Sequence, residues 1–129
     1  MRVLVDGHAF VWALLQDPRV SKKARSILFS EEHELFFSLA TLWELSLKIR
    51  LGKLRNLTSS IAYLNDELAE YRITVLPITY QDILTVEHLE SHHRDPFDRV
   101  LIAQAINNSL TLLTNDSNIK LYSNVTTLW

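Results

Sequence analysis

An α/β fold, with a mostly parallel central sheet flanked by helices as a three-layer sandwich, is the architecture this sequence predicts. Two observations carry it. Val3-Leu4-Val5, Leu35-Phe36-Phe37, Thr74-Val75-Leu76 and Leu110 to Leu113 are short runs rich in aliphatic, β-branched and aromatic residues. Runs of this kind are the signature of strands buried on both faces. Between them lie longer segments whose apolar residues recur at helical spacing, and strands that alternate with helices imply parallel crossover units. A length of 129 residues fits one domain, covering residues 1–129.

Val3-Leu4-Val5 reads as a buried parallel strand that Gly7 ends. His8 to Leu15 places Phe10, Val11, Leu14 and Leu15 at helical spacing, and Asp17-Pro18 stops that helix. Ser21 reads as the N-cap of a second helix, Lys22 to about Ser30, with Ala24, Ile27 and Leu28 inward. Leu35-Phe36-Phe37 is the second strand. Ser38 caps a helix from Leu39 to about Leu51, which Gly52 terminates. Ser59 or Ser60 opens a fourth helix with Ile61, Leu64, Leu68 and Tyr71 on its apolar face. Thr74-Val75-Leu76 is the third strand, closed by Pro77. Thr79 caps a fifth helix to about Leu89. Asp95-Pro96 combines an N-cap acid with proline at the first helical position, and that helix runs to about Asn107. Leu110 to Leu113 is the fourth strand, and a fifth is expected around Val125.

Composition narrows the function classes. Hydrophobic residues make up 47% of the chain, which suits an ordinary core and argues against wholesale disorder. The net charge of -2 argues against a purely electrostatic nucleic-acid binder. The chain has no cysteine, so disulfides and cysteine-based zinc sites are excluded and a reducing, cytoplasmic setting is suited. Neither a signal peptide nor a membrane span is legible.

Four acids carry the chemistry. Asp6 follows the first strand, Glu44 lies in ATLWELSLK, Asp98 in HHRDPFDRVLIAQA, and Asp116 in TLLTNDSN. Ligands in open α/β sheets bind beyond the carboxyl ends of the strands, and the topology sends Asp6, Asp98 and Asp116 to that edge. Glu44 joins them if its helix crosses the same edge. Four converging carboxylates repel strongly enough to require a cation. A divalent-metal phosphodiesterase is therefore the leading hypothesis. Each acid alone has a plainer reading. Asp6 could cap its helix, and Glu44 could pair with Lys48 at i,i+4. Asp98 could complete a cap, and Asp116 could serve a turn. Asp95 is read as an N-cap in preference to a metal ligand. His92 and His93 are read as solvated or hydrogen-bonding residues, and His8 as a packed, satisfied side chain. Trp12, Trp43 and Phe97 sit at apolar helical positions suited to core or dimer packing. Lys48, Arg50, Lys53 and Arg55 form a cationic cluster that could meet RNA phosphates.

These blocks resemble the PIN-domain family and, within it, the VapC-type toxins of bacterial toxin–antitoxin pairs. RVLVDGHAFVWALLQDPRVS, FFSLATLWELSLKIRLGKL, HHRDPFDRVLIAQA and LTLLTNDSNIKLY match that family's blocks in order and spacing across essentially the whole chain. HHRDPFDRVLIAQA is the most specific. The resemblance implies a Mg²⁺- or Mn²⁺-dependent endoribonuclease acting on RNA such as tRNA or ribosomal RNA. It also implies a small cognate antitoxin as inhibitor, and a homodimer. Carried over by motif, the carboxylates are Asp6, Glu44, Asp98 and Asp116. Asp6 and Asp98 are assigned as primary ligands, with Glu44 and Asp116 as further or water-mediated ones. Gly7 departs from the pattern, since such toxins usually have threonine or serine after the first acid.

Two other classes compete. A signalling receiver domain has a similar length and element order. It wants paired acids after the first strand and a lysine after a late strand, and neither is present. A catalytically silent PIN-like RNA-binding module would lack some of the acids, whereas all four are present.

Overall fold

In a computed structural model of the chain, which describes residues 1–54 and 60–129, five strands form one sheet with every neighbouring pair parallel. The elements in chain order are β1 (Arg2–Val5), α1 (Gly7–Leu14), α2 (Lys22–Leu28), β2 (Glu34–Ser38), α3 (Leu39–Arg50) and α4 (Ile61–Glu70). There follow β3 (Thr74–Leu76), α5 (Tyr80–Glu87), α6 (Pro96–Asn107), β4 (Thr111–Leu113), a 3₁₀ turn (Ile119–Leu121) and β5 (Thr127–Leu128).

The alternation of side chains along each strand builds two cores. Val3, Val5, Leu35, Phe37 and Leu113 face one way and are buried with α1, α2, α4 and the inner side of α3, where Leu42 and Leu45 sit. Leu4, Phe36 and Leu112 face the other way and pack on Leu101, Ile102 and Ala105 of α6 and on Ile119 and Tyr122. Every strand of the central three is thus apolar on both faces, which is why their sequences read as continuous runs rather than alternating ones. Phe37 is fully buried, a burial of the kind that contributes about 1.5–3 kcal/mol. On the second face α5 packs on α6, tied by Asn107 Nδ2 donating to Asp82 Oδ1 at 2.8 Å.

Sequence signals set the helix ends. Asp6, Ser21, Ser38, Ser60, Thr79 and Asp95 all cap helices through their side chains, and Thr79 with Asp82 forms a reciprocal capping box. Gly52, at φ 68°, takes the left-handed turn that follows α3. The fifth strand lies two positions beyond the expected Val125. Val125 instead packs its side chain against the second core, and pairing to β4 starts at Thr127, opposite Leu112. No helix among the described residues is long and apolar enough to cross a membrane.

The strand order places the site. From β1 the chain winds outward to β2 and β3, then returns to the other side of β1 for β4 and β5. The direction reverses between β1 and β4, and a crevice at the carboxyl ends of those two strands is the expected consequence.

Candidate active site

Asp6 is the residue that leaves β1 and starts α1. Its backbone NH donates to Leu113 O on β4 at 3.1 Å, so the neighbouring strand fixes its position. Its Oδ1 accepts from His8 N at 3.3 Å, and its Oδ2 accepts from the Thr114 hydroxyl at 2.6 Å. Burial raises the Asp6 carboxyl above its ordinary value, against the opposing pull of the Thr114 hydrogen bond. Thr114 Oγ1 also accepts from Asp116 N at 3.0 Å. Asp116 in turn accepts from Asn118 N at 2.7 Å, which opens the 3₁₀ turn. One fully buried hydroxyl therefore links the first acid to the fourth. A cavity of about 190 Å³ opens beside this pair.

The other half of the site is carried by helices. Asp95 caps α6, its Oδ1 accepting from Phe97 N at 2.9 Å and Asp98 N at 3.3 Å. Pro96 at the first helical position needs no acceptor for an NH it lacks. Asp98 stands one turn in. Glu44 reaches the same place from α3, and the aromatic pair Trp43–Phe97, with centroids 5.2 Å apart, joins the two helices at the adjoining positions. One carboxylate oxygen each from Glu44, Asp95 and Asp98 lie within 4.8 Å of one another. The crowding shows in the acids themselves. The Asp98 carboxyl is pushed up to about 8, first by burial and then by the charges of Asp95, Asp6, Glu44 and Asp116. Burial likewise raises Glu44, with Asp95 adding to the effect and Lys48 opposing it.

The four expected acids are thus brought together in two groups. Glu44 meets Asp98, Asp6 is tied to Asp116, and the charges of both groups act on Asp98. Asp95 does two things where the sequence suggested one, since it caps α6 and also stands in the acidic cluster. Thr114 was missed by sequence reasoning. Its signal is a hydroxyl placed one residue past β4 and two before Asp116 in LLTND. The plain reading of Glu44 also holds, because Lys48 Nζ lies 3.4 Å from it at i,i+4. Arg50 and Lys53 are exposed, and Arg50 lies about 9 Å further along the α3 axis than Glu44 at 1.5 Å per residue. Arg55, the fourth of the cationic cluster, lies outside the described residues, as does Ser59.

His8 is exposed, with its ring 5.6 Å from Trp12, rather than enclosed, because the first turn of α1 faces the open edge. Of the core or dimer packing expected of Trp43, the core is excluded, since Trp43 is 59% exposed and packs on Phe97. Gly7 is buried where α1 crosses α3, and a Cβ there would come within 2.7 Å of the Thr41 methyl. The departure at this position therefore reflects a close helix approach, while Thr114 supplies the hydroxyl beside Asp6.

A profile of the PIN domain family matches residues 3–124. The chain belongs to the PIN domain family. No curated protein sequence matches it. Among solved structures, PIN-like architecture recurs in VapBC2 from Rickettsia felis bound to a DNA fragment from its promoter. That match has a TM-score of 0.74 and 18% identity, covering 99% of this chain and 98% of that one. DNA-bound VapBC from Salmonella typhimurium is similar at TM-score 0.70 and 16% identity, over 99% and 97%. A toxin–antitoxin complex from Klebsiella pneumoniae follows at TM-score 0.62 and 16% identity, over 97% and 96%.

The donor set suits a hard divalent cation of the kind PIN nucleases use. The cluster offers carboxylate oxygens and no sulfur, and its Asp98 carboxyl is raised by burial and then by neighbouring negative charge, which a cation would offset.

Proposed function

We propose that this chain is a Mg²⁺- or Mn²⁺-dependent endoribonuclease and the toxin of a toxin–antitoxin pair. The observation that carries the reading is the charge crowding at Asp98, where Glu44 and Asp95 stand within 4.8 Å and Asp6 and Asp116 act from the strand ends. Glu44, Asp95 and Asp98 would hold the cation, with Asp6 and Asp116 as further or water-mediated partners. When bound, the cation polarises the phosphoryl oxygen and lowers the pKa of a coordinated water.

The protein's own groups set the stage for that step. Thr114 holds Asp6 and keeps the Asp116 backbone beside it, so neither acid has to be ordered when substrate arrives. Burial and the surrounding charges favour the protonated form of the Asp98 carboxyl, and a bound cation would favour its ionised form. Lys48 offsets part of the Glu44 charge. Arg50 and Lys53 lie at the far end of α3, where a phosphate backbone crossing the acidic edge would meet them.

The likeness to VapC-type toxins supports a small antitoxin as inhibitor, and the reading takes RNA as substrate. A second copy of the chain as partner is supported by the outer row of α3, where Leu39, Trp43, Leu47 and Leu51 are spaced by four and 41–66% exposed. Cleavage of labelled RNA by the purified protein should need Mg²⁺ or Mn²⁺ and stop in EDTA. Cleavage that persists in EDTA, or is absent with either ion, would overturn the reading.

A further inference from the structure

HHRDPFDR holds a second device beside the acids. The His93 side chain is only 10% exposed and sits between Tyr122 and Asp98. Its Nδ1 is 2.9 Å from the Tyr122 hydroxyl, and its Nε2 is 3.4 Å from Asp98 Oδ2. The second distance is within ion-pair reach but long for a hydrogen bond, and Nε2 is a buried polar atom that has no hydrogen-bond partner. Native interiors seldom leave such an atom unpaired without a reason.

The polarity of the surrounding contacts can be worked out. Arg99 donates to Tyr122 Oη at 3.2 Å, to Glu90 O at 2.9 Å and to Val86 O at 3.1 Å. Arginine only donates, so the Tyr122 oxygen accepts there and its own hydrogen is free to point at His93 Nδ1. A neutral imidazole that accepts at Nδ1 carries its hydrogen on Nε2, the atom that faces Asp98. The frame is rigid. Tyr122 is buried, and Glu90 accepts from Ser123 N at 3.1 Å, from Ser123 Oγ at 2.6 Å, and lies 2.9 Å from His92 Nε2.

We propose that His93 is a positioning residue for Asp98. The Arg99–Tyr122–His93 chain aims an Nε2–H at Oδ2 and so fixes which way that carboxylate faces. This rests on the reading of the acidic cluster as a divalent-metal site. His93 contacts no substrate atom; it acts through Asp98. Oriented carboxylates bind metal better, and loss of such an outer partner typically costs 10–100-fold in metal affinity or activity.

The test is direct Mn²⁺ binding to the full chain, followed by calorimetry or by the electron paramagnetic resonance of the free ion. His93→Leu should bind Mn²⁺ about 10–100-fold more weakly. His93→Gln keeps an acceptor for Tyr122 and a donor for Asp98, and should restore most of that loss. Tyr122→Phe, which keeps the packing and frees the tautomer, should weaken binding by less than His93→Leu. In RNA cleavage, His93→Leu should lower kcat with KM little changed. Circular dichroism and thermal melts check that each variant is folded. If the Leu and Gln variants bind Mn²⁺ as the wild type does, or if Gln falls as far as Leu, His93 does not position Asp98. If His93→Leu fails to fold, a Tyr122→Phe variant that binds Mn²⁺ as tightly as the wild type overturns the proposal equally. A wild-type protein that binds no Mn²⁺ removes the metal reading itself, a result distinct from the others.

Discussion

The two halves of the acidic site are built by different physics. The Asp6–Thr114–Asp116 half sits on strand ends, and its geometry comes from the parallel pairing of β1 with β4 and one buried hydroxyl. The Glu44–Asp95–Asp98 half sits on two helices, and its three oxygens are close to one another. The first half is satisfied as it stands, while the second is strained by charge. A site made this way is held by hydrogen bonds on one side and crowded by charge on the other. Removing a hydrogen-bonding group should hurt the first half, and removing a charge should relieve the second.

The largest effect is expected at the junction of the two. Asp98→Asn should reduce RNA cleavage by more than about a hundredfold, beyond the usual loss for an outer-shell partner. Asparagine is nearly isosteric, so the fold should persist. The same substitution should make the metal-free protein more stable, because it deletes a carboxyl that four neighbouring acids disfavour. Cleavage rates read beside urea melts in EDTA would decide this. Near wild-type cleavage would take Asp98 out of the site, and a clear loss of stability in EDTA would show that the charge is not a burden.

Next in size is the response to metal and pH. Mass action predicts that Mg²⁺ at a hundred times its Kd stabilises the fold by roughly 2.7 kcal/mol. The pH dependence follows from the raised Asp98 carboxyl. Its folded value is about 8 against an ordinary value of 3.8. The stability from its bound proton is fully present below the unfolded value and is lost as pH rises through about 8. Asp6 and Glu44, also raised, act in the same direction. In EDTA the melting temperature should therefore fall between about pH 4 and pH 8, and Mg²⁺ should flatten the fall. A wild-type melt insensitive to Mg²⁺ and Mn²⁺, together with a flat profile in EDTA, would mean that the acids share no metal.

Much of this was legible in the sequence, and the parts that were not have physical reasons. Strand runs and side-chain caps are local signals, so β1 to β4 and the α-helices of the described residues could be read from short windows. The last strand could not, because two residues carry too little pattern to separate Thr127-Leu128 from Val125. The four acids were visible from their places after strands or on helices near the sheet edge. The cap reading of Asp95 holds, and a cap explains an acid completely at the level of one helix. Only the arrival of Glu44 from α3 places it in an acidic cluster as well. Thr114 was beyond reach for a similar reason, as was the partner of His93, a residue the sequence marks only as solvated or hydrogen-bonding. Their partners are 108 and 29 residues away, at Asp6 and Tyr122, and nothing local marks a hydroxyl or imidazole as paired at that range. Gly7 was noticed, but its cause is the approach of α3, which no window around position 7 contains.

Thr114→Val tests the half held by hydrogen bonds. Valine keeps the shape and removes the hydroxyl that Asp6 accepts from and Asp116 N donates to. Leaving a buried carboxylate and a part-buried NH short of partners costs about 1–3 kcal/mol. The metal-free protein should be destabilised by that amount, opposite in sign to Asp98→Asn. Chemical-denaturation midpoints at constant slope measure it. If Thr114→Val is as stable as wild type in EDTA, the hydroxyl does not organise the strand ends, and the contrast between the halves is lost.

The smallest effect concerns Lys48. It pairs with Glu44 at 3.4 Å, with both side chains partly exposed, at 29% and 13%. An i,i+4 pair of this sort is worth about 0.3–0.5 kcal/mol. In EDTA Lys48 is also the nearest cation to a crowded acid, so Lys48→Met should cost about that much, and slightly more at low salt, where screening is weaker. With Mg²⁺ bound, the Glu44 charge is held by the cation instead, so the cost should shrink towards zero. Removal of a competing positive charge should also leave Mg²⁺ affinity unchanged or slightly higher. Paired melts of wild type and Lys48→Met, in EDTA and in saturating Mg²⁺, separate these terms. A cost that grows when Mg²⁺ is added would mean that Lys48 and the metal do not share Glu44, and Glu44 would then belong to the helix surface rather than to the site.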